Sequence, residues 1–314
     1  MNLYFAPLEG ITGYNLRSAL HECFGHVDKY FIPFINPNQK GHFSTREKKD
    51  IMPENNPGMY AVPQILTNCV EDFVETAKKL QQYGYDEVNL NLGCPSKTVI
   101  SKKRGSGFLA YPDELDRFLE EIFKQSPIGI SVKTRIGKES PDEFERLLKI
   151  YNQYPMKELI IHPRIQTDFY KKHPNLDVFE MAVKNSKNTL CYNGDIFSME
   201  DYRRFTERFP EVENIMIGRG LLMNPGFARE IAAGIRTDKE TLRRFHDRVY
   251  EQYCETLFGE RNVLYKMKEI WCFMAALFTN HEKYAKKIKK ADKLYKYEEA
   301  VNALFEEQEI VGRE

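Results

Sequence analysis

Six short stretches of this sequence gather residue types that hold anions and move protons: Gln64, Asn89–Cys94, Lys133-Thr134-Arg135, His162-Pro163-Arg164, Asn193-Gly194-Asp195 and Gly218-Arg219-Gly220. The last two are short glycine turns beside polar or charged side chains. Such turns let backbone N–H groups approach a phosphate, which Arg219 can clamp. A phosphate-bearing cofactor is implied. Lys133 and His162 suit the electron-rich edge of a flavin ring, where a cation stabilises negative charge on the reduced form, and Gln64 adds amide hydrogen bonds. The glycine pattern alone fits a flavin or a sugar phosphate equally well. Cys94 lies between Gly93 and Pro95. A free thiol, with a reference pKa of about 8.5, stays mostly protonated at neutral pH and can serve as an acid. Ser96-Lys97 and the run Ser101-Lys102-Lys103-Arg104-Gly105-Ser106-Gly107 follow it, a cationic loop that suits an anionic substrate or simply solvent.

These groups can act together only from one rim, and the pattern of the chain predicts such a rim. Eight β-type runs recur at 3–7, 29–34, 60–66, 87–94, 128–135, 158–164, 189–195 and 214–220. Amphipathic segments lie between most of them, for instance 70–83 (Phe73, Ala77, Leu80), 112–124 (Leu115, Leu119, Ile122) and 141–154 (Phe144, Leu147, Ile150). This alternation predicts an α/β fold, a closed (β/α)8 TIM barrel over residues 1–235, with reactive groups at the carboxy-terminal strand ends. A doubly wound open sheet normally carries a GxGxxG turn after its first strand, and Ala6-Pro7-Leu8-Glu9-Gly10 is not one. Beyond Gly234 the periodicity becomes helical, predicting an all-helical bundle domain over 236–314. Asp238 is the expected N-cap of a first helix with the stripe Leu242, Phe245, Val249, Tyr253 and Leu257, ended by Gly259. Leu264, Met267, Trp271, Met274 and Phe278 predict a second helix, and Tyr284, Ile288, Ala291 and Tyr295 a third.

The 314 residues carry 46 Lys+Arg against 46 Asp+Glu, so any polyanion site must be a local patch. One such patch is Lys283, Lys286, Lys287, Lys290 and Lys293, opposite the apolar stripe of the third helix. The six cysteines show no CxxC pair and no Cys/His ligand spacing, which predicts reduced thiols and no metal site. No apolar run reaches membrane-spanning length, and the first residues lack a signal-peptide pattern. The expectation is a cytoplasmic protein that acts as a monomer without an obligatory protein partner.

The ordered blocks Ala6-Pro7-Leu8-Glu9-Gly10-Ile11-Thr12, Val62-Pro63-Gln64, Asn89-Leu90-Asn91-Leu92-Gly93-Cys94-Pro95-Ser96-Lys97, Gly105-Ser106-Gly107, Val132-Lys133-Thr134-Arg135-Ile136-Gly137, His162-Pro163-Arg164, Tyr192-Asn193-Gly194-Asp195 and Ile217-Gly218-Arg219-Gly220 resemble those of the dihydrouridine synthases. The Asn-Leu-Gly-Cys-Pro block with its downstream Gly-x-Gly is the most specific of them. The resemblance implies reduction of a uridine C5=C6 bond in tRNA by FMN, with NADPH as reductant and Cys94 as proton donor. It implies that Pro7 and Leu8 flank the flavin, that Gln64, Lys133 and His162 bond its polar edge, that Asn193, Gly194, Gly218 and Arg219 hold its phosphate, and that Asp195 shapes that turn. Asn91, Lys97, Arg135, Arg164 and Tyr170 would then position the substrate, and the helical tail would bind RNA. A ribosomal RNA uridine, a small molecule reduced as by dihydroorotate dehydrogenase, and a non-catalytic RNA-binding role are the alternatives. Two departures stand out: His162-Pro163-Arg164-Ile165 replaces the His-Gly-Arg-Thr of many members, and Ile32-Pro33-Phe34-Ile35 lacks their acidic residue at the end of strand two. Pro163 removes an N–H donor beside Arg164.

Overall fold

The eight expected strands are present: β1 (Asn2–Phe5), β2 (Lys29–Ile35), β3 (Ala61–Ile65), β4 (Glu87–Leu92), β5 (Gly129–Arg135), β6 (Leu159–His162), β7 (Leu190–Tyr192) and β8 (Asn214–Ile217). In this computed structural model, which describes residues 1–37 and 42–311, they form a closed parallel barrel in sequential order. Pairing of Asn2 through Phe5 with Asn214 through Ile217 closes it. Around it run α1 (Tyr14–Cys23), α2 (Thr45–Ile51), α3 (Val70–Gln82), α4 (Lys97–Ile100), α5 (Pro112–Gln125), α6 (Glu143–Tyr151), α7 (Leu176–Asn185), α8 (Met199–Arg208), α9 (Arg219–Met223) and α10 (Phe227–Ala233).

Most strands stop two or three residues before the sequence pattern does, because side chains take over the ladder. The Asn91 Oδ1 accepts the N–H groups of Gly93 and Cys94 at 3.0 and 2.9 Å, which turns the chain out of β4. Gly93–Cys94, Pro163–Arg164, Asn193–Asp195 and Gly218 therefore sit on the connecting loops.

Alternation along the strands sorts the bore into layers. Val88, Leu90 and Leu92 point to the surrounding helices and belong to the main apolar core. At the amino-terminal end of the bore, Lys29 pairs with Glu87 at 3.2 Å and Glu158 at 3.6 Å, while the Tyr4 hydroxyl and Asn214 Nδ2 donate to Glu158 at 3.0 and 2.7 Å. Above this lies an apolar layer that includes Phe31, Val62, Ile160, Cys191 and Met216. Gln64, Asn91, Lys133 and His162 line the carboxy-terminal mouth. The polar strand ends read from the sequence thus share one rim.

Among the described residues four α-helices follow, not three: α11 (Lys239–Thr256), α12 (Glu260–Met274), α13 (His281–Lys290) and α14 (Leu294–Glu307). Asp238 caps α11 by accepting the N–H of Thr241 at 2.7 Å. Gly259, expected to end the first helix, instead N-caps α12 at φ +81°, a conformation that favours glycine. The expected third helix breaks after Lys290, where the Lys268 ammonium takes the carbonyl of Ala291. Tyr295 consequently falls on α14 and is exposed, whereas Tyr284 and Ile288 are buried as the stripe requires. Trp271 donates to the Tyr297 hydroxyl oxygen at 2.8 Å, so the Tyr297 proton is free for His246 Nε2 at 2.6 Å. Lys266 of α12 donates to the carbonyl of Gly10 at 2.6 Å and ties these helices to the loop after β1. No described helix is long and apolar enough to cross a membrane.

Candidate active site

A cavity of about 230 Å³ opens at the barrel mouth, walled by Pro7, Leu8, Cys94, Lys133, His162 and Tyr170 among others. Gln64, Asn91 and Arg135 also line it. Backbone donors determine the orientation of its amides. Because Asn91 Oδ1 accepts two backbone N–H groups, its Nδ2 must be the donor to Gln64 Oε1 at 2.6 Å. Gln64 Nε2 then donates to Asn89 Oδ1 at 2.8 Å, and Asn89 Nδ2 to Ser131 Oγ at 2.9 Å. Asn91 lines the cavity and also joins the Cys94 loop to Gln64.

The Cys94 carbonyl accepts both the N–H and the hydroxyl of Ser106, at 3.1 and 2.9 Å. Gly105, at φ +56°, packs so closely that a Cβ there would lie 2.8 Å from that carbonyl oxygen. The Gly-Ser-Gly block downstream is therefore the clamp on the Cys94 backbone. Burial pushes the Cys94 thiol above its ordinary value, with the nearby Glu9 acting in the same direction and Arg135 and Lys133 against it. The group on the cavity wall is a thiol, able to give a proton.

Lys133 Nζ has no hydrogen-bond or ion-pair partner among the described residues. Burial, with Arg135 adding, pushes its pKa down to about 8. His162 is held neutral by burial and by the charges of Lys133, Arg135, Arg164 and Arg219. Its Nε2 lies 3.1 Å from Arg164 Nη1. A guanidinium only donates, so Nε2 accepts and the ring proton is on Nδ1.

Arg135 and Arg164 both bond within the protein, and Arg135 also lines the cavity. Arg135 donates to the carbonyls of Gly93, Ile165 and Phe169 at 3.0, 2.9 and 3.1 Å. Arg164, 1% exposed, grips the Asp195 carboxylate with both terminal nitrogens. Arg219 donates to the same carboxylate at 2.7 Å and lies 4.5 Å from the ring centre of Tyr170. Asp195 thus holds two guanidinium groups, and its removal would leave both without their counter-charge. Tyr170, half exposed, covers the mouth with its ring edge-on to His162. Lys97 is exposed on the first turn of α4 and does not line the cavity. Glu9, Ile11, Pro33, Phe34 and Pro95 also line it without having been assigned a role, although Glu9 and Ile11 lie in the Ala6–Thr12 block, Pro95 in the Asn89–Lys97 block, and Pro33 and Phe34 at the divergent end of strand two.

A flavin mononucleotide fits these residues. The unpartnered Lys133 and the oriented Gln64 supply polar contacts, and Pro7 and Leu8 an apolar wall. Asn193 Nδ2 ties β7 to β8 through the Met216 carbonyl at 2.8 Å, leaving the loops beyond to face an anion. The N–H groups of Gly194 and Gly218 have no partner among the described residues. A Cβ at Gly194 would stand 1.9 Å from the Tyr192 hydroxyl, so the turn admits only glycine.

Comparison with known proteins agrees with this geometry. The family model described as dihydrouridine synthase matches residues 4–312. A Staphylococcus aureus protein named probable tRNA-dihydrouridine synthase is 30% identical over 260 residues, covering 79% of this chain and 77% of that one. A Pseudomonas syringae tRNA-dihydrouridine(16) synthase is 28% identical over 240 residues, 74% of this chain and 75% of its own. Among solved structures, a morphinone reductase mutant in complex with tetrahydroNAD superposes with a TM-score of 0.53 at 12% identity, over 76% of this chain and 89% of that one, a likeness of fold. With its eight-stranded barrel, its Cys94 loop and a family match over nearly its whole length, the chain belongs to the dihydrouridine synthase family and is an oxidoreductase of the flavin-dependent kind.

Proposed function

We propose that this protein reduces the C5=C6 bond of a uridine in tRNA to 5,6-dihydrouridine, with FMN as resident cofactor and NADPH as reductant. The observation that carries this reading is the Cys94 thiol on the wall of the same cavity as an unpartnered Lys133. FMN held by these residues would supply the hydride for C6. Cys94 Sγ–H gives the proton to C5, and the resulting thiolate recovers a proton from solvent, which balances the two-electron reduction. Lys133 offsets negative charge at the polar edge of the ring, while Gln64 and the Nδ1–H of His162 donate hydrogen bonds. Gly194, Gly218 and Arg219 hold the phosphate; Asn193 and Asp195 act from behind, fixing the strand pair and the guanidinium groups. Arg135 and Arg164 position the loops that shape the mouth, and Tyr170 offers a face on which a base can stack.

A uridine within a folded RNA hides C6 in its stack, so the nucleotide must be flipped into the cavity. Residues 236–314 act as the RNA-binding domain beside the barrel of residues 1–235. Lys283, Lys286, Lys287 and Lys290 stand exposed on α13, with Lys293 just beyond, and none forms an ion pair among the described residues. Lys97 adds charge to the rim of the mouth. The protein acts in the cytoplasm as a monomer. Mapping dihydrouridine across tRNA and ribosomal RNA from cells with and without this gene tests the reading. Loss of one or a few tRNA positions is expected; loss confined to ribosomal RNA, or an unchanged map, overturns it.

A further inference from the structure

The loop that follows Cys94 carries the cations Lys97, Lys102, Lys103 and Arg104, which as a sequence suit a polyanion or solvent alike. The structure separates them. Lys97 and Lys102 are exposed and form no ion pair among the described residues. Lys103 Nζ lies 4.1 Å from the ring centre of Tyr111 and 3.6 Å from the Glu114 carboxylate. Arg104 turns inward. Its side chain is 18% exposed, and each guanidinium nitrogen faces an oxygen of its own. Nε donates to Asn68 Oδ1 at 3.2 Å, Nη1 donates to Asn36 Oδ1 at 2.7 Å, and Nη2 stands 3.8 Å from the Asp72 carboxylate. Asn68 Nδ2 donates in return to the carbonyl of Lys102 at 3.3 Å.

These partners belong to two other strand ends. Asn36 directly follows β2 and its divergent Ile32-Pro33-Phe34-Ile35 stretch, Asn68 lies between β3 and α3, and Asp72 is in the first turn of α3. One side chain therefore fastens the loop after β4 to the loops after β2 and β3. The backbone of Arg104 leads straight to the thiol. Next come Gly105 and Ser106, the pair packed on the Cys94 carbonyl, and the Arg104 carbonyl accepts the Gly107 N–H at 3.0 Å. Beyond them Phe108 and Leu109 are buried in the core. The clamp on Cys94 is thus a short segment tied down at both ends, by core packing on one side and by the guanidinium fork on the other. Proton transfer is sensitive to such fixing, because displacing a reacting group by about 1 Å can cost about a hundred-fold in rate.

We propose that Arg104 is a positioning residue for the protonation step, holding the Cys94 thiol at the depth that the uracil C5 reaches, and that it is not a contact for the RNA backbone. This rests on the RNA-reductase reading above. The role is one of shape more than of charge. Two of the three acceptors are neutral amide oxygens on different loops, which a planar fork meets together and a lysine ammonium cannot.

The test uses the full-length FMN-loaded protein. Iodoacetamide labelling with peptide mapping follows individual cysteines, of which Cys23 and Cys191 are buried, Cys254 and Cys272 exposed, and Cys94 between the two. In Arg104→Ala, Cys94 is expected to react about ten-fold faster, with Cys23 and Cys191 still protected and Cys254 and Cys272 reacting as before. On tRNA from cells lacking this gene, the maximal single-turnover rate of dihydrouridine formation should fall about ten-fold at an unchanged half-saturating tRNA concentration. Flavin content and NADPH oxidation without RNA hold. Arg104→Lys should lose nearly as much, and Asn36→Ala, which removes one acceptor, should lose part of the same rate and add nothing to Arg104→Ala in the double variant. Unchanged Cys94 labelling, a rise at Cys23 and Cys191 alongside it, full rescue by lysine, or a weakened tRNA affinity with the maximal rate intact overturns this inference and leaves the parent reading standing. A wild type that forms no dihydrouridine on any tRNA defeats both.

Discussion

Asn91 accepts the backbone N–H of Cys94 at 2.9 Å through the same side chain that donates to Gln64 at 2.6 Å, so the proposed proton donor and a proposed flavin contact are positioned by one amide. Asn91→Ala leaves the Gln64 oxygen without its donor and two backbone N–H groups without their acceptor, at a cost of about 1–3 kcal/mol. The expected outcome is a lower Tm and at least a ten-fold slower single-turnover formation of dihydrouridine, with most of the flavin retained. A wild-type rate in this variant would show that the amide chain does not set the position of the thiol.

Cys94→Ala removes a proton donor and leaves the hydride path alone. The variant is expected to bind FMN and to oxidise NADPH at the wild-type rate, yet to lose product formation by about two to four orders of magnitude, the usual range for a general acid. Stopped-flow flavin reduction and mass spectrometry of the RNA separate the two steps. Full product formation refutes the assigned role.

Lys133 has a pKa near 8, because burial disfavours its charged form and Arg135 adds to the effect. Its positive charge is therefore present below pH 8 and lost above it. The rate of flavin reduction should decline as pH rises from 7 to 9. Lys133→Arg keeps its charge throughout that range and should move the alkaline decline upward. A profile indifferent to this exchange would place the titrating group elsewhere.

Much of this was legible in the sequence, because strand alternation and strand-end residue types are local properties. Gln64, Cys94, Lys133 and His162 all occupy the cavity that the sequence pattern implied. What each of them bonds was not legible. That three loop carbonyls hold Arg135 and that Asp195 holds Arg164 becomes visible only in the closed barrel. The break between α13 and α14 was equally hidden, since Lys268, 23 residues earlier, takes the carbonyl of Ala291.

The lysines of α13 make a prediction that depends on salt. Charge reversal of Lys286, Lys287 and Lys290 to Glu should weaken tRNA binding and flatten the slope of log affinity against log salt, since fewer counterions are released. Tyr284 and Ile288 on the buried face are untouched, so Tm and flavin content should hold. Unchanged affinity across a salt titration would return this helix face to solvent.

At the closed end of the bore, Lys29 faces two buried carboxylates and can neutralise only one. Burial raises the pKa of Glu158 to about 7, with Glu87 adding to the rise and Lys29 and the Tyr4 hydroxyl opposing it. In the unfolded chain Glu158 titrates near the ordinary value of 4.5. Below that pH both states hold the proton and this contribution to stability is fully present. Between 4.5 and 7 the unfolded chain gives up the proton while the folded chain keeps it, so stability falls with rising pH, by on the order of 3 kcal/mol in total. Glu158→Gln keeps an oxygen for Tyr4 and Asn214 and carries no charge at any pH. Between pH 5 and 8 the Tm of the wild type should therefore fall relative to that of the variant, with the gap opening mainly below pH 7. Parallel curves would mean that Glu158 is already charged in the folded barrel and that Lys29 satisfies both carboxylates.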